Sequence, residues 1–380
     1  MDIINLKNST CDWNEAVSKT ADVLRSGGLA VLPTETVYGL AVRAADENAV
    51  RRLIQLKGRK ERHPFALAFS SPEAVRDFCG ELSPLADKLT RRILPGPVSF
   101  VLDISPDDNE LYKLPVFVQQ AVSKNRGVSC RIPAHPFTLT VLGELNEPVI
   151  LTSANRSGQG DLTSIEQILG SLNNGVNHEI DRGIDIAVSD DVLPDPLPST
   201  VLKIVGDEYH ILREGGIKED TIKRLTATVI LFVCTGNTCR SPMAERICET
   251  LIAGKIGCTV AELESKGFAV LSAGLSCGNG SPAAENAVEV LRPFGVDLTN
   301  HRSQMLSESA VRFADYIFVM TRGHREAVLS SWHNVDSRLY VLRQDGGDIA
   351  DPVGGSIDVY QRCVKQLNAE IRKRLETLIF

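Results

Sequence analysis

The sequence is poor in the features that mark membrane, disulfide-rich and nucleic-acid-binding proteins. No stretch approaches the ~18 apolar residues that a membrane helix needs, and the N-terminus MDIINLKNST lacks the basic start and apolar run of a signal peptide. Its 9 cysteines show no Cys-x2-Cys spacing, which argues against a disulfide framework and a zinc site. The net charge of −7 does not favour broad contact with nucleic acid. We therefore expect a cytoplasmic protein with reduced cysteines, no membrane segment and at most local RNA contact.

The 380 residues exceed one typical domain of about 150 residues. In the first half, short apolar runs alternate with helical patterns at 13–26 and 48–56, which predicts an α/β domain with a mixed, twisted sheet and helices packed on it. After Gly215-Gly216 and a short polar helix over 218–225, a new strand–helix alternation begins. We therefore predict domains at 1–225 and 226–380. The strand signals of the first half are AVLPTETVYGL, FALAFS, PVSFVLDI, GVSCRI, PVILTSAN, TVLKIV and YHILREGG.

The second half predicts a doubly wound, parallel, four-stranded sheet, because each strand pattern is followed by a helical one. In such a sheet the functional site lies at the carboxyl ends of the strands. The predicted strands cover 229–234, 268–273, 315–320 and 338–342, and the predicted helices cover 242–253, 281–294, 322–331 and 356–378.

The string VCTGNTCRSPMAE runs from a predicted strand into a predicted helix and contains the pair Cys234 and Arg240 at Cys-x5-Arg spacing. Glycine and asparagine in the loop tolerate left-handed backbone, so successive N–H groups can turn towards an anion at the helix N-terminus. Pro242 suits the first helical position, and Ser241 can cap the helix and offer its hydroxyl to the sulfur. The pattern indicates a nucleophilic thiolate beside an arginine that clamps phosphate. The residues assigned to the phosphate loop and to substrate selectivity are Thr235, Gly236, Asn237, Thr238, Cys239 and Ser241.

This string resembles the loop of the low-molecular-weight protein-tyrosine phosphatase family, and the resemblance covers about 229–380. The family's general acid lies in an Asp-Pro pair near the C-terminus, which here is Asp351-Pro352. The resemblance implies a phosphoprotein substrate, in-line attack by Cys234, phosphate binding by Arg240 and proton transfer by Asp351, without a cofactor.

Two departures from tyrosine-specific members bear on the substrate. Thr238 replaces a bulky aliphatic residue, and Val353 replaces an aromatic residue after Asp-Pro. Without the aromatic residue a phosphotyrosine ring loses stacking, and the threonine resembles the branch that acts on protein phosphoarginine, so we predict phosphoarginine first and phosphotyrosine second. An arsenate reductase is disfavoured because the later cysteines form no closely spaced pair for a thiol relay. Cys239 either forms a protective disulfide with Cys234, as the resemblance suggests, or packs as a loop residue.

Four separated strings carry a second resemblance, to the Sua5/YrdC family, over about 10–216. Lys57 and Arg59 are two residues apart, so on an extended segment both side chains would point the same way and could neutralise a triphosphate. Ser153 and Asn155 have the same spacing at a strand end and offer polar partners for a nucleotide. The four strings are LPTETVYGLA (32–41), LKGRKERHP (56–64), CRIPAHP (130–136) and LTSANRSG (151–158).

The resemblance implies an L-threonylcarbamoyladenylate synthase that serves tRNA modification, with ATP, L-threonine and bicarbonate as substrates. It implies that Arg131 and Ser199 bind the threonine carboxylate and hydroxyl, that Thr34 lines this pocket and that Arg213 approaches ATP. Mg²⁺ is expected to enter with ATP, bound mainly through its phosphates. Transient partners would be tRNA or tRNA-modification proteins. The alternative is a non-catalytic RNA-binding or regulatory module that keeps the Sua5/YrdC fold but does not turn over substrate.

Overall fold

A computed structural model describes residues 1–8, 10–58, 64–105, 109–173, 183–190 and 197–378. The chain divides into two compact units, Met1–Lys223 and Arg224–Phe380. No helix within the described ranges is both long and apolar enough to cross a membrane.

The first unit is built on a mixed sheet, as the sequence predicts. Its strand order is β1-β9-β2-β3-β8-β4-β7-β5-β10-β11, and the short β6 pairs with β7. Neighbours β1/β9, β9/β2, β4/β7 and β5/β10 are parallel, whereas β3, β8 and β11 pair antiparallel with their neighbours. The strands are β1 Asp2–Asn5, β2 Ala30–Leu32, β3 Gly39–Arg43, β4 Ala66–Ala68, β5 Val98–Asp103, β6 Ser123–Lys124, β7 Gly127–Arg131, β8 Val149–Ser153, β9 Ile186–Ser189, β10 Thr200–Val205 and β11 Glu208–Arg213.

The helices of this unit begin and end where the local chemistry favours it. Helix α1 starts after Asp12, whose carboxylate accepts the Glu15 N–H at 3.0 Å. Helix α2 ends at Gly58, which takes a left-handed φ of 58°. The helices are α1 Trp13–Arg25, α2 Glu47–Lys57, α3 Pro72–Cys79, α4 Pro84–Ile93, α5 Val116–Val122, α6 Pro136–Leu145, α7 Ile165–Asn173 and, at the junction, α8 Glu219–Leu225.

The run AVLPTETVYGL, predicted as one strand signal, forms two antiparallel strands. Strand β2 ends at Leu32 and β3 begins at Gly39. Pro33 has no N–H to donate to a ladder, and the Thr34 hydroxyl donates to the Val37 carbonyl at 2.6 Å, which closes a turn. The turn brings its polar side chains to one end of the sheet.

The second unit is a parallel sheet of order β13-β12-β14-β15 with helices on both faces, which confirms the doubly wound prediction. Its strands are β12 Thr228–Cys234, β13 Phe268–Gly274, β14 Tyr316–Val319 and β15 Leu339–Val341. Its helices are α9 Arg240–Ile256, α10 Glu285–Leu291, α11 Glu308–Phe313, α12 Arg322–Ser331 and α13 Ile357–Thr377.

The inner strand β12 is apolar along its length because both of its faces are buried. Phe232 and Cys234 face the core that includes α9, α10 and α13. Leu231 and Val233 face the opposite core, with α11 and α12. This alternation places Cys234 at the carboxyl end of a strand that is packed from both sides.

We predict that Phe232→Ala destabilises the second unit by about 3–5 kcal/mol, because it removes a buried ring. Phe232 is 1% exposed, and its ring centroid lies 5.7 Å from that of Phe318. Hydrogen exchange of the β12 amides measures the effect. The matched control is Phe294→Ala, at a ring 68% exposed, for which a change within about 0.5 kcal/mol is expected. Equal losses in the two variants would contradict this core assignment.

Candidate active sites

The Cys234–Arg240 loop joins the end of β12 to the start of α9. The Cys234 carbonyl accepts from Leu275 N at 2.9 Å and the Thr235 carbonyl from Ser276 N at 3.0 Å, so the pairing with β13 continues past the strand end. A Cβ placed on Gly274 would lie 2.7 Å from the Thr235 carbonyl oxygen, so this close approach requires glycine. The beginning of the loop is therefore anchored to the neighbouring strand.

The Cys234 sulfur lies among hydrogen-bonding groups. Asn237 N–H points at Sγ at 3.3 Å, and Ser241 Oγ lies 3.0 Å from it. Cys234 is 3% exposed. A backbone N–H and a hydroxyl therefore lie within hydrogen-bonding distance of the sulfur, next to the N-terminus of α9.

The start of α9 differs from the prediction. The helix begins at Arg240 rather than at Pro242, and Ser241 lies within its first turn instead of capping it. Cys239 occupies the cap position without a side-chain hydrogen bond to the first turn. The loop completes its turn before Arg240, so the first helical N–H groups face the loop and can bind an anion.

Asn237 holds the loop in shape. Its φ is 50°, in the left-handed region, and it is fully buried. Its amide Nδ2 donates at 2.9 Å to the hydroxyls of both Ser241 and Ser272, and its Oδ1 accepts from Gln304 N at 2.9 Å. Nε2 of His301 lies 2.7 Å from the Asn237 carbonyl oxygen. Burial lowers the pKa of His301, which favours a neutral ring that donates from Nε2.

The sequence reasoning identified Asn237 but missed Ser272, His301 and Gln304. Each of them reaches the loop from a segment at least 35 residues away. No spacing or motif marks these residues in the sequence, since a lone serine, histidine or glutamine carries no periodic signal.

Arg240 and Asp351 meet beside the loop, although 111 residues separate them in the chain. Arg240 is 4% exposed, and its Nη1 donates to the Ile349 carbonyl at 3.2 Å while Nη2 pairs with the Asp351 carboxylate. The Asp351 side chain is 40% exposed. The structure thus pairs Asp351 with the arginine of the Cys234–Arg240 loop.

The other loop side chains form the rim and the floor. Thr238 is half-buried, and the Cys239 sulfur contacts the Tyr360 hydroxyl at 3.2 Å. Burial raises the pKa of Tyr360, and its hydrogen bond to Cys239 adds to this shift. Cys239 and Cys234 are both free thiols. Val353, which follows Asp-Pro, is 67% exposed, so no aromatic wall stands at this position.

The first unit contains a cavity of about 700 Å³ over one face of the sheet. Alternate residues of β5 and β7 face it, including Ser99, Val101, Ser129 and Arg131, as a period of two requires. Five residues predicted to bind ATP or threonine line the cavity, namely Thr34, Arg131, Ser153, Ser199 and Arg213.

Lys57 and Asn155 are hydrogen-bonded to Ser153. The Lys57 ammonium donates to the Ser153 carbonyl at 2.6 Å and to Asn155 Oδ1 at 3.2 Å, and the Ser153 hydroxyl donates to the same Oδ1 at 2.7 Å. The prediction of an extended segment at Lys57 is wrong, because this residue ends α2 before the left-handed Gly58. Arg59, the other predicted cation, lies outside the described residues.

Arg131 is buried, and a carboxylate of the chain itself faces it. Its Nη2 donates to Glu35 Oε1 at 2.9 Å and to Thr36 Oγ1 at 2.6 Å, with Thr34 Oγ1 at 3.4 Å. Nε of Arg131 is buried and has no hydrogen-bond partner among the described residues. A guanidinium in this setting can bind a ligand carboxylate. Sequence reasoning missed Glu35 and Thr36.

Ser199 and Arg213 form a second polar group in the cavity. Arg213 Nη2 donates to the Ser199 carbonyl at 2.7 Å and lies 3.2 Å from its hydroxyl, which is itself 3.0 Å from the Ser99 hydroxyl. Burial lowers the pKa of Arg213, although an arginine remains protonated in such a site.

Known protein families match both units of the chain. The family model described as "Telomere recombination" (Sua5, YciO and YrdC) matches residues 22–215, and that of low molecular weight phosphotyrosine protein phosphatase matches residues 229–379. The chain therefore belongs to the Sua5/YrdC family in its first unit and to the low-molecular-weight phosphatase family in its second.

Relatives with curated names match each unit separately. A threonylcarbamoyl-AMP synthase of Pyrococcus abyssi is 29% identical over 60% of this chain, and the match spans 61% of that relative's length. A protein-arginine-phosphatase of Geobacillus stearothermophilus is 35% identical over 39% of this chain and 95% of its own. A solved structure of P. abyssi Sua5 aligns over 98% of this chain and 97% of its own at 20% identity with a TM-score of 0.50, which indicates a similar fold.

We predict that Asn237→Ala lowers kcat/KM for p-nitrophenyl phosphate about tenfold more than Asn237→Gly does. Both variants lose the amide, but alanine must also enter the left-handed region, at a cost of roughly 1–2 kcal/mol. Steady-state kinetics measure the two values. Asn300→Ala, at an exposed asparagine, is the control and should match the parent. Equal activity of the glycine and alanine variants would show that the loop does not depend on this φ.

Proposed function

We propose that the second unit is a phosphatase that works through a phosphocysteine intermediate. The observation that carries this proposal is the placement of the Cys234 sulfur next to Asn237 N–H and Ser241, at the N-terminus of α9 and beside Arg240. A dianionic phosphoryl group would fit against the loop N–H groups and the guanidinium. Cys234 attacks phosphorus in line, and the S–P bond forms as the bond to the leaving atom breaks.

In this proposal Asp351 acts twice. Solvent or a monoanionic phosphoryl group supplies a proton to the Asp351 carboxylate, which passes it to the leaving atom in the first step, and the carboxylate then takes a proton from the water that hydrolyses phosphocysteine. Asp351 pairs with Arg240. The phosphoryl oxygens compete for the same guanidinium donors, so substrate binding releases the carboxyl group towards the leaving atom.

We further propose phosphoarginine in proteins as the preferred substrate, with phosphotyrosine second. Val353 offers no ring for stacking on a phenol, an interaction worth roughly 0.5–1.5 kcal/mol. Thr238 presents a hydroxyl and a small methyl at the rim. The named arginine phosphatase relative, which matches over nearly its whole length, supports the same choice.

We propose that the first unit makes threonylcarbamoyl-AMP. Arg131 would bind the threonine carboxylate, which would replace Glu35, and Ser199 would bind the hydroxyl, with Thr34 lining the pocket. Lys57, Ser153 and Asn155, together with Arg213, would hold the ATP phosphates. We also propose that Arg59 contributes to binding the ATP phosphates.

The reaction would begin with addition of the threonine amine to bicarbonate-derived carbon dioxide, which gives a carbamate. A carbamate oxygen then attacks the α-phosphorus of ATP and expels pyrophosphate. Mg²⁺ would neutralise the phosphates and take most of its ligands from them. Among the described residues, acidic, cysteine and histidine side chains form no group of three that could hold a metal ion. The product would serve tRNA modification.

We predict that Thr238→Ile lowers the ratio of phosphoarginine to phosphotyrosine activity at least about tenfold, because it removes a hydroxyl from the rim and adds apolar bulk. The ratio of kcat/KM values on matched peptides measures this effect. Cys234→Ala should abolish both activities and controls for contaminating phosphatases. An unchanged ratio in Thr238→Ile would refute the assigned selectivity, and a parent that prefers phosphotyrosine would overturn the substrate proposal.

For the first unit we predict that pyrophosphate release from ATP requires both threonine and bicarbonate, and that Arg131→Gln raises the KM for threonine at least about tenfold by removing the charge that binds its carboxylate. A coupled pyrophosphate assay measures both effects. Arg126→Gln, at an exposed arginine in the turn before β7, is the matched control. If the parent forms no product above the level of Lys57→Ala, the first unit is a non-catalytic binding module.

A further inference from the structure

The residue after the nucleophile makes a contact outside the phosphate loop. The Thr235 hydroxyl lies 2.9 Å from Nε2 of His324. His324 stands in the first turn of α12, where its own N–H is bound by the cap residue Thr321 at 3.1 Å. The contact therefore joins the rim of the phosphate loop to a helix end that is held in place independently.

The His324 ring lies among the charges of the phosphatase site. Arg240, Asp351 and Asp348 all act on it, and burial together with the charge of Arg240 lowers its pKa despite the two carboxylates. On its own helix, Arg322 pairs with Asp348 and Arg325 with Asp336. Burial and the charge of Arg240 therefore favour the neutral ring.

The Thr235 contact fixes the orientation of this ring. Nδ1 of His324 is buried and has no hydrogen-bond partner among the described residues, so Nε2 makes the directional contact. Thr235 itself is exposed at the mouth of the loop. The hydroxyl is therefore accessible to a substrate bound at the loop.

We propose that His324 is a positioning residue that acts through Thr235 to select a guanidinium leaving group. This inference rests on the proposed phosphoarginine activity and extends it. In this inference the proton of the neutral ring is assigned to Nδ1, so that Nε2 accepts the Thr235 hydroxyl hydrogen. The oxygen lone pairs of Thr235 then face the site, where they can accept an N–H of the substrate guanidinium.

Protonation of the ring reverses the polarity of this contact. An imidazolium donates from Nε2, so the Thr235 oxygen becomes its acceptor and the hydroxyl hydrogen turns towards the site. A hydroxyl hydrogen opposes a guanidinium N–H but suits the ether oxygen of phosphotyrosine. The pair thereby ties leaving-group preference to the protonation state of His324.

The test measures kcat/KM for matched phosphoarginine and phosphotyrosine peptides with the full chain and takes the ratio of the two. His324→Ala and Thr235→Val should each lower this ratio about tenfold. This is the smallest change expected when a hydrogen bond to a charged group is lost. The double variant should fall no further than either single one, because the two residues act as one unit. In His324→Gln the amide oxygen can accept the hydroxyl hydrogen of Thr235. This variant should therefore have a ratio within about threefold of the parent.

A pH series supplies a readout that a structural role would not change. In the parent the ratio should fall as the pH drops through the pKa of His324, which lies below the ordinary value of about 6.5. In His324→Gln this dependence should be absent. His333→Asn, at an exposed histidine after α12, is the control and should behave as the parent. Initial rates are corrected with enzyme-free blanks, since phosphoarginine hydrolyses in acid.

The outcomes separate the inference from the function on which it rests. A parent that prefers phosphoarginine, with an unchanged ratio in His324→Ala and Thr235→Val, overturns the inference and keeps the proposed function. A parent without that preference overturns both. A lowered ratio in His324→Ala that His324→Gln does not restore also overturns the inference, because it indicates a packing effect.

Discussion

The second unit depends on one constraint, the left-handed turn at Asn237 that connects a buried strand to a helix N-terminus. Without this turn, the N–H groups after Cys234 would not face the sulfur, and Arg240 would not begin α9 beside it. The turn is held by hydrogen bonds with two separate segments, at Ser272 in β13 and at His301 and Gln304 before α11. The loop is therefore shaped before any substrate arrives, and preorganised donors of this kind stabilise charge that develops in a transition state.

The two units share a second physical feature. Each holds a buried arginine against a carboxylate of its own chain, Arg240 with Asp351 and Arg131 with Glu35. A buried guanidinium without a partner would be costly, so these carboxylates stabilise the arginines in their buried positions. An anionic substrate can take the same donors, and in the phosphatase the displaced group is the acid that the proposed reaction requires. Binding and acid–base chemistry would then be coupled through one ion pair.

The sequence predicts those parts of the structure that are local. The strand-to-helix alternation of the second unit follows from apolar runs and helical spacing, and the Cys234–Arg240 loop is contiguous, so both could be predicted. Where local patterns were ambiguous, predictions failed. Pro33 and the Thr34 turn divide one apparent strand, α2 continues to Lys57 where an extended segment was predicted, and α9 starts before Pro242.

Contacts between distant segments could not be predicted from spacing. His324, Glu35 and the three partners of Asn237 have no motif, because their roles depend on where the folded chain brings them. Asp351 was found through resemblance to a family, since an Asp-Pro pair alone is ordinary turn chemistry. The cavity of the first unit likewise combines alternate residues of strands that are far apart in sequence.

The most direct test of this account is to identify the phosphorylated residue. The Asp351→Asn variant is mixed with p-nitrophenyl phosphate, whose leaving group needs no proton, and the reaction is quenched in acid and examined by peptide mass spectrometry. Because the variant lacks the base that activates water, the account predicts one added phosphoryl group on the peptide that contains Cys234, and none on that peptide in Cys234→Ala. A phosphoryl group on another residue, or turnover that persists in Cys234→Ala, would contradict it.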